Sequence, residues 1–174
     1  LKWKTKLPGA GASSPVLTKS FAFVTSYSGY GVPGKPGGST DELKRHLSCI
    51  RRSDGKIVWT KTVKNEVRED PYRGMGVPEH GYATNTPVCD GKHVYVFYGK
   101  SGVIAYDMKG QEQWRRSVGT GSSNRRWGSA ASLILHKDLV IVNASEESRT
   151  LYALSKTTGK VVWKSPADSL ELCY

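Results

Sequence analysis

A short motif that occurs three times constrains this chain more than any other feature. Each copy has a small residue, a polar turn, and a glycine four positions before a tryptophan, and the copies are Cys49–Trp59, Ala105–Trp114 and Ala153–Trp163. The small residue precedes the tryptophan by ten positions in the outer copies and by nine in the middle copy. With Trp3 as the tail of a further copy, the tryptophans are separated by 56, 55 and 49 residues. Self-similarity at such a period indicates a repeat architecture.

More of the repeat aligns upstream of the motif. Each copy follows a run of β-branched and aromatic residues, which is preceded by a polar turn and by a short segment before that turn. The apolar runs are Phe21–Thr25, Val94–Tyr98 and Leu139–Val142. Such runs, bounded by Gly, Asp, Lys and Pro, are typical of strands, and no window shows a sustained helical period with caps. Each repeat is therefore predicted to contain four strands, named A to D in chain order.

Four short antiparallel strands in a repeat of about 40–50 residues are typical of a propeller blade. The predicted fold class is all-β, a β-propeller fragment of about three four-stranded blades. The predicted divisions are an outer strand of a preceding blade at 1–12, blade one at 13–63, blade two at 86–118, blade three at 131–166 and the approach to a next blade at 167–174. The chain begins at Leu1 without an initiator Met and stops within the pattern, so we expect a longer protein.

The glycines and tryptophans of the motif are predicted to fix each blade to its neighbour. A tight turn between strands C and D requires a positive φ, which glycine adopts without a Cβ penalty. An indole buried against the next blade contributes roughly 2–3 kcal/mol. The residues predicted to dock the blades are Trp3, Gly55, Trp59, Gly110, Trp114, Gly159 and Trp163.

Composition and charge narrow the function classes. The formal net charge is +11 over 174 residues, and basic doublets occur at 44–45, 51–52, 115–116 and 125–126. Clustered basic residues attract polyanions, but these doublets lie on different elements without a nucleic-acid motif. We predict a solvated basic surface and no nucleic-acid partner, with polyanion binding as the alternative. The sequence has no apolar stretch long enough to span a membrane as a helix, and its three cysteines lack the spacing of a zinc site.

Strand parity assigns a face to every loop. In an antiparallel meander the A–B and C–D turns lie on one face, and the B–C and D–A loops lie on the other. The second face receives all the long segments, which are Ser26–His46, Thr62–Thr84, Gly119–Ala130 and the shorter Asn143–Thr150. Long insertions on one side of a repeat array indicate the binding side.

The candidate ligand or partner residues come from these long segments. Four of them precede a strand A near the central funnel, and they are Arg73, Glu79, His80 and Tyr82. His80 is predicted either to bind a ligand or to make loop-packing hydrogen bonds. One His and one carboxylate are fewer than the three or four ligands of a usual metal site, so no metal site is predicted. We identify no catalytic residue, because no base lies in a recognisable pattern with a nucleophile.

Two further segments contribute to the same face. Trp127 with Arg125 suits stacking of a planar ligand or a partner peptide, although Trp127 could equally serve as a lid over the channel. Asn143 lies in an Asn-Ala-Ser sequence that fits a glycosylation sequon, which has meaning only in a secretory eukaryotic context.

The motif resembles the repeat of the pyrroloquinoline-quinone-like (PQQ-like) β-propeller family. The family pattern Ala-x-Asp-x-x-Thr-Gly-x-x-x-Trp is kept by Ala153, Thr158, Gly159 and Trp163, with Ser155 in place of the Asp. Asp107 retains the acid in the shortened copy. The stretch 79–102 looks like that of secreted bacterial proteins known only by this repeat, and the resemblance covers essentially the whole chain. It implies a complete wheel of seven or eight blades.

The resemblance implies two main functions. The first is a non-enzymatic binding or scaffolding propeller of the bacterial cell envelope, periplasmic or extracellular, similar to a lipoprotein that helps to assemble outer-membrane β-barrels. It would take a protein or small-molecule ligand at the funnel face and need no cofactor. The second is a quinoprotein dehydrogenase that oxidises alcohols or sugars with PQQ and calcium, although the adjacent cysteine pair of those enzymes is missing. A weaker possibility is the sensor region of a larger chain. We favour binding over catalysis.

Overall fold

The computed structural model describes residues 2–35, 37–71 and 81–170. Its described residues form twelve strands in three four-stranded antiparallel sheets with the orders β1-β2-β3-β4, β5-β6-β7-β8 and β9-β10-β11-β12. The predicted all-β class, a propeller fragment with three four-stranded blades, is therefore confirmed. The strands are β1 (Val16–Leu17), β2 (Phe21–Ser28), β3 (Lys44–Arg51), β4 (Ile57–Lys64), β5 (Val88–Cys89), β6 (His93–Phe97), β7 (Val103–Asp107), β8 (Glu112–Arg116), β9 (Ile134–His136), β10 (Leu139–Ala144), β11 (Thr150–Ser155) and β12 (Val161–Pro166).

Helical structure is minor in the described residues, as predicted. One turn of α-helix, α1 (Ser145–Ser148), follows β10, and single 3₁₀ turns occupy Thr40–Glu42, Gly99–Ser101 and Asp168–Leu170. No helix in the described ranges has the length and apolar character needed to cross a membrane.

The same irregularity recurs in each sheet beside the tryptophan. Cys49 pairs with Trp59, Ala105 with Trp114, and Ala153 with Trp163, and the register shifts immediately after each pair. These bulges leave the residue before each tryptophan unpaired, which bends the outer strand locally. A small residue opposite the indole is therefore a common requirement of the three copies.

The turns between the third and fourth strands explain the shorter middle copy. Gly55 and Gly159 donate their N–H groups to carbonyls four residues back, whereas Gly110 donates to Asp107, three residues back. All three glycines have a positive φ, between 64° and 80°, as the predicted hairpin requires. The middle copy thus closes its turn one residue tighter and still places its tryptophan at the same register position.

Each of the first three tryptophans lies on the turn glycine of the following sheet. Trp3, Trp59 and Trp114 lie so close to Gly55, Gly110 and Gly159 that a Cβ there would overlap the indole ring. Each indole N–H donates to a carbonyl of the same turn: Trp3 to Arg52 at 2.8 Å, Trp59 to Met108 at 3.0 Å and Trp114 to Lys156 at 2.7 Å. Trp163 makes no such contact in the described residues and is 41% exposed, against 9% for Trp114.

The hydrophobic core lies between the sheets. One buried cluster joins the first and second sheets and includes Phe23, Leu47, Cys49, Val94 and Tyr106. A second cluster joins the second and third sheets and includes Tyr95, Phe97, Trp114, Val140 and Leu154. This arrangement, in which each sheet buries its faces against neighbouring sheets, is typical of stacked repeats such as propeller blades.

The N-terminal segment packs beside the first sheet but does not pair with it as a strand. Residues 2–7 form no strand, although an outer strand was predicted at 1–12. Trp3 and Thr5 nevertheless contact the turn of the first sheet, where the Thr5 hydroxyl donates to the Gly55 carbonyl at 2.6 Å. Ala10 makes an isolated bridge with Tyr27.

The loop lengths divide as the strand parity predicts. The first face has only short connections, of which 52–56 and 156–160 are the longest. The other face carries 29–43, 65–87 and 117–133, together with the shorter 98–102 and 145–149. We call this second side the long-loop face and the first side the short-turn face. Strands β2 and β3 extend further than the sequence predicts, because their residues continue the ladder up to the Ser28–Lys44 pair.

Candidate functional site

An ion pair at the long-loop face joins the first sheet to the loop that follows it. Arg45, on β3, donates from Nη2 to Oε1 of Glu69 at 2.7 Å, and both side chains are 5% exposed. Arg45 also donates to the Tyr82 carbonyl at 3.1 Å and to the Ser101 hydroxyl at 3.4 Å. Its guanidinium lies 5.8 Å and 6.0 Å from the ring centroids of Tyr82 and Tyr98. Arg45 thus binds segments from two sheets and the connection between them.

A second polar cluster joins three loops. Lys100 Nζ lies 3.0 Å from Oδ2 of Asp70, and it donates to the Ser122 hydroxyl at 2.8 Å. The Ser122 hydroxyl in turn donates to the same oxygen of Asp70 at 2.5 Å. These three residues come from loops 65–87, 98–102 and 117–133, so the cluster fixes the loops of neighbouring blades to one another.

Two adjacent glutamates of α1 lie beneath the loop 117–133. Glu146 accepts a hydrogen bond from the Ser123 N–H at 3.2 Å, and the Glu147 carbonyl accepts one from the Gly121 N–H at 2.8 Å. The Glu147 side chain bonds to Ser129 and lies against Gly99, while its Oε2 is buried without a partner in the described residues. Burial, together with the charges of Glu69 and Glu146, raises the pKa of Glu147 to about 8.

The tip of the same loop, Arg125–Trp127, is exposed. Arg125 lies with its guanidinium carbon 4.9 Å from the ring centroid of Trp127, a cation–π distance. Trp127 is 43% exposed, and Arg125 and Arg126 are also exposed. Neither arginine has a carboxylate partner in the described part of the chain. The structure therefore brings together the two residues that the sequence placed on this loop.

The other predicted residues lie elsewhere or outside the described ranges. Arg73, Glu79 and His80 fall in the gap at 72–80. Tyr82 is buried, donates its hydroxyl to the Asp70 carbonyl at 2.8 Å and packs edge-on against Tyr27. Asn143 accepts a hydrogen bond from the Ser145 N–H at 3.1 Å at the start of α1. Tyr82 and Asn143 thus make bonds to Asp70 and Ser145, and their predicted ligand roles stay predictions.

Sequence reasoning missed the residues that brace the loops, which are Arg45, Glu69, Asp70, Lys100, Ser122, Glu146 and Glu147. Arg45 was assigned with Lys44 to the solvated surface, yet Lys44 is exposed and Arg45 is buried. Strand alternation carried one available signal, since neighbouring residues of β3 face opposite sides. The partner carboxylates left no local signal, because Glu69 is 24 positions from Arg45 and Asp70 is 52 from Ser122.

The described residues contain no cluster of acidic side chains suited to calcium. Calcium needs several converging oxygen ligands, and the described ranges contain no group of three or more His, Cys, Asp or Glu side chains that could hold a metal ion. Three carboxylates of the long-loop face already accept bonds from other groups: Glu69 from Arg45, Asp70 from Lys100, and Glu146 from Ser123.

Sheets that stack through a repeated tryptophan contact, with long loops on one face, define the chain as part of a β-propeller built from PQQ-like repeats. It belongs to the family described as outer membrane protein assembly factor BamB, which matches residues 1–170.

Solved structures share the fold. The chain is similar to BamB from Moraxella catarrhalis, with 17% identity and a TM-score of 0.53 over 94% of this chain and 41% of that one. It is also similar to the quinohemoprotein alcohol dehydrogenase from Comamonas testosteroni, with 19% identity and a TM-score of 0.55 over 90% and 21%. A europium-containing methanol dehydrogenase matches at 17% identity and a TM-score of 0.53, over 87% and 24%. The chain spans less than half the length of these three proteins, and identities this low show the fold alone. No curated protein matches the chain.

Proposed function

We propose that this chain is part of a non-enzymatic binding scaffold of the bacterial cell envelope, periplasmic or extracellular, and that its long-loop face recognises a protein partner. The observation that carries the proposal is a contrast within this face. The lower part of its loops, which we call the base, is held by ion pairs and hydrogen bonds, whereas the tip Arg125–Trp127 is exposed. Ion pairs and hydrogen bonds from loops of all three sheets hold the base. The tip presents Arg125 and Trp127 to solvent.

The fixed base of the loops supports binding, because it lowers the conformational entropy that the loops lose on association. A loop that is already ordered in the free protein loses less freedom when it meets a partner. Trp and Arg are the residues most enriched among those that dominate binding energy at interfaces. The family description names an outer membrane protein assembly factor, which agrees with a role in binding.

The tryptophan contacts are proposed as the docking motif of the scaffold. Trp59 and Trp114 each pair a buried ring contact with an N–H bond to the next sheet. Repeated contacts of this kind would hold successive blades at a constant angle. Loops from different blades would then form one continuous face.

Photo-crosslinking in the full-length protein tests the proposal. A crosslinking amino acid is placed at Lys92, Lys109 or Thr158 on the short-turn face, or at Thr120 or Asn124 on the long-loop face. We expect a discrete crosslinked partner, identified by mass spectrometry in intact cells, from the long-loop positions only. Equal crosslinking from both faces would contradict a specific partner face.

A fragment of a PQQ-dependent alcohol or sugar dehydrogenase is the second candidate, because dehydrogenases with this fold are among the similar solved structures. Full-length protein is incubated with PQQ and calcium, desalted, and measured for quinone absorbance. We expect no retained quinone and no dye-linked alcohol oxidation. Retention with turnover would establish the dehydrogenase and overturn the scaffold.

A further inference from the structure

We infer that the loop tip Arg125–Trp127 binds an acidic peptide segment that carries an aromatic or large apolar side chain between its carboxylates. This inference rests on the proposed function and names the chemistry of the partner.

The residues immediately before the tip are fixed by hydrogen bonds to neighbouring loops and to α1. Ser122, Ser123 and Gly121, immediately before it, bond to Asp70, Glu146 and the Glu147 carbonyl respectively. Gly119 passes so close to the Glu147 carbonyl that any Cβ would overlap it. The Arg126 N–H bonds back to the Ser123 carbonyl at 3.1 Å, which closes a turn. The tip is therefore displayed from a fixed base.

The two arginines of the tip have no acidic partner in the part of the chain that the structure describes. The carboxylates that hold the base, those of Asp70 and Glu146, are largely buried, and so is the Glu147 side chain. Arg125 and Arg126 lie outward, and within the described residues neither is paired with an acid. With a net charge of +11 on the whole chain, the field in front of the tip attracts anionic groups.

The side chains of the tip select the kind of anion. A guanidinium binds a carboxylate through two parallel hydrogen bonds, and two adjacent arginines match two carboxylates. Trp127 lies beside them with nearly half its surface exposed, so it offers an apolar face to a ring or an aliphatic chain. A nucleic acid would need an extended basic stripe, whereas the doublet Arg51–Arg52 lies on the opposite, short-turn face. The surface therefore fits a short acidic and aromatic peptide better than a polynucleotide.

Fluorescence anisotropy with the full-length protein tests the inference. The probe is a labelled peptide with the central sequence Asp-Glu-Phe-Asp-Glu. Comparison probes replace the Phe by Gly, replace the acids by their amides, or use a single-stranded DNA of equal charge. The test variant is Arg125→Gln/Arg126→Gln, and a second variant is Trp127→Ala. The matched control, Arg51→Gln/Arg52→Gln, removes the same charge from the opposite face.

We expect each tip variant to weaken peptide binding about tenfold, the size of one strong interface residue, and the control to change it less than about twofold, as a distant charge does in salt. Unchanged melting temperatures confirm folded variants. Three results would overturn the inference: no binding by the wild type at about 1 mM peptide, equal losses in tip and control variants, or tighter binding of DNA than of peptide. If tip variants retain the crosslinks of the long-loop face, the acidic-peptide inference fails while the proposed function stands.

Discussion

The tryptophan contact depends on three residues that must be right at once. The indole needs a small partner across the strand pair, a glycine beneath the ring, and a carbonyl in front of its N–H. Trp114 has these in Ala105, Gly159 and Lys156. Because the three residues come from two neighbouring sheets, a change in any of them affects the joint between the sheets and leaves the remaining strands intact.

Trp114→Ala is expected to lower the free energy of unfolding by about 3–5 kcal/mol, as truncation of a large buried aromatic does. The change removes the ring from the cluster between the second and third sheets and leaves the Lys156 carbonyl with only the 3.5 Å bond from the Tyr95 hydroxyl. Urea denaturation followed by circular dichroism measures the loss. Trp163→Ala is the matched control, because its ring is exposed. A Trp114 variant that loses under 1 kcal/mol would remove the docking role.

Glu147 gives the stability of the chain a dependence on pH. Its pKa is raised to about 8 in the folded protein, mainly by burial, while its ordinary value is about 4.3. The folded state therefore favours the protonated form. Stability from this group is fully present below about pH 4 and is lost as the pH rises through 8.

Glu147→Gln is expected to remove this dependence. At pH 9 the variant should be more stable than the wild type by a few kcal/mol, since one pKa unit corresponds to about 1.4 kcal/mol, and at pH 4.5 the two should nearly coincide. Denaturant midpoints from pH 4.5 to 9 test this. Glu112→Gln, on exposed β8, is the control and should cost no more than a surface ion pair, about 0.2–1 kcal/mol. Parallel pH curves for wild type and Glu147→Gln would refute the assignment.

At the scale of elements, buried ion pairs attach loops to strands. Arg45 lies within β3, and its partner Glu69 lies in the loop that leads to the next sheet. The pair therefore fixes the loop 65–87 to β3, just as each tryptophan contact fixes one sheet to the next. Its burial makes the loss of either partner costly, since the remaining charge is left in a poorly solvated place.

Arg45→Met should destabilise the chain by about 3–5 kcal/mol, the usual cost of one unpaired buried charge. The double variant Arg45→Met/Glu69→Met should recover most of that loss, because neither charge remains. Arg51→Met, which breaks an exposed pair with Asp54, should cost at most about 1 kcal/mol. Thermal denaturation of the four proteins distinguishes these cases. A double variant as unstable as the single one would show that Arg45 acts through its other contacts, with Tyr82 and Ser101, and not through the charge pair.

The strands were predictable because their signals are local. The apolar runs, the turn glycines and the tryptophan spacing all lie within a few residues of the structure they specify. The loop-to-face assignment followed from strand parity. The loop contacts were not predictable, since Lys100, Asp70 and Ser122 are brought together from three loops. Asn143 and Tyr82 show the same limit, because their sequence positions did not reveal that they make local structural bonds.

At the scale of the whole molecule, the two largest apolar clusters of the described residues lie between sheets. Each sheet therefore depends on its neighbours for most of its burial. The outer strand β12 of the third sheet has no neighbour on the side of Trp163 in the described residues, and Val161, Val162 and Trp163 are all exposed there. An exposed apolar edge strand favours association with another chain or blade.

The isolated 174-residue chain is therefore expected to associate or aggregate. Trp163→Lys should lower the weight-average mass in light scattering, because a charge on an edge strand disfavours pairing. Trp127→Lys is the matched control, since that indole is equally exposed on a loop and offers no strand edge. A wild-type chain that is monomeric and melts cooperatively would count against this prediction.

The sequence by itself determined the repeat, the four-stranded unit, the turn glycines and the side on which the long loops lie. These depend on backbone conformation and on the alternation of apolar residues, both of which are local properties. Tertiary structure alone decided which charges are buried and which are displayed. Arg45 and Arg125 each belong to a basic doublet, yet one is enclosed by an acid and two aromatic rings while the other faces solvent. The difference arises because the burial of a charge depends on partners that distant loops bring to it.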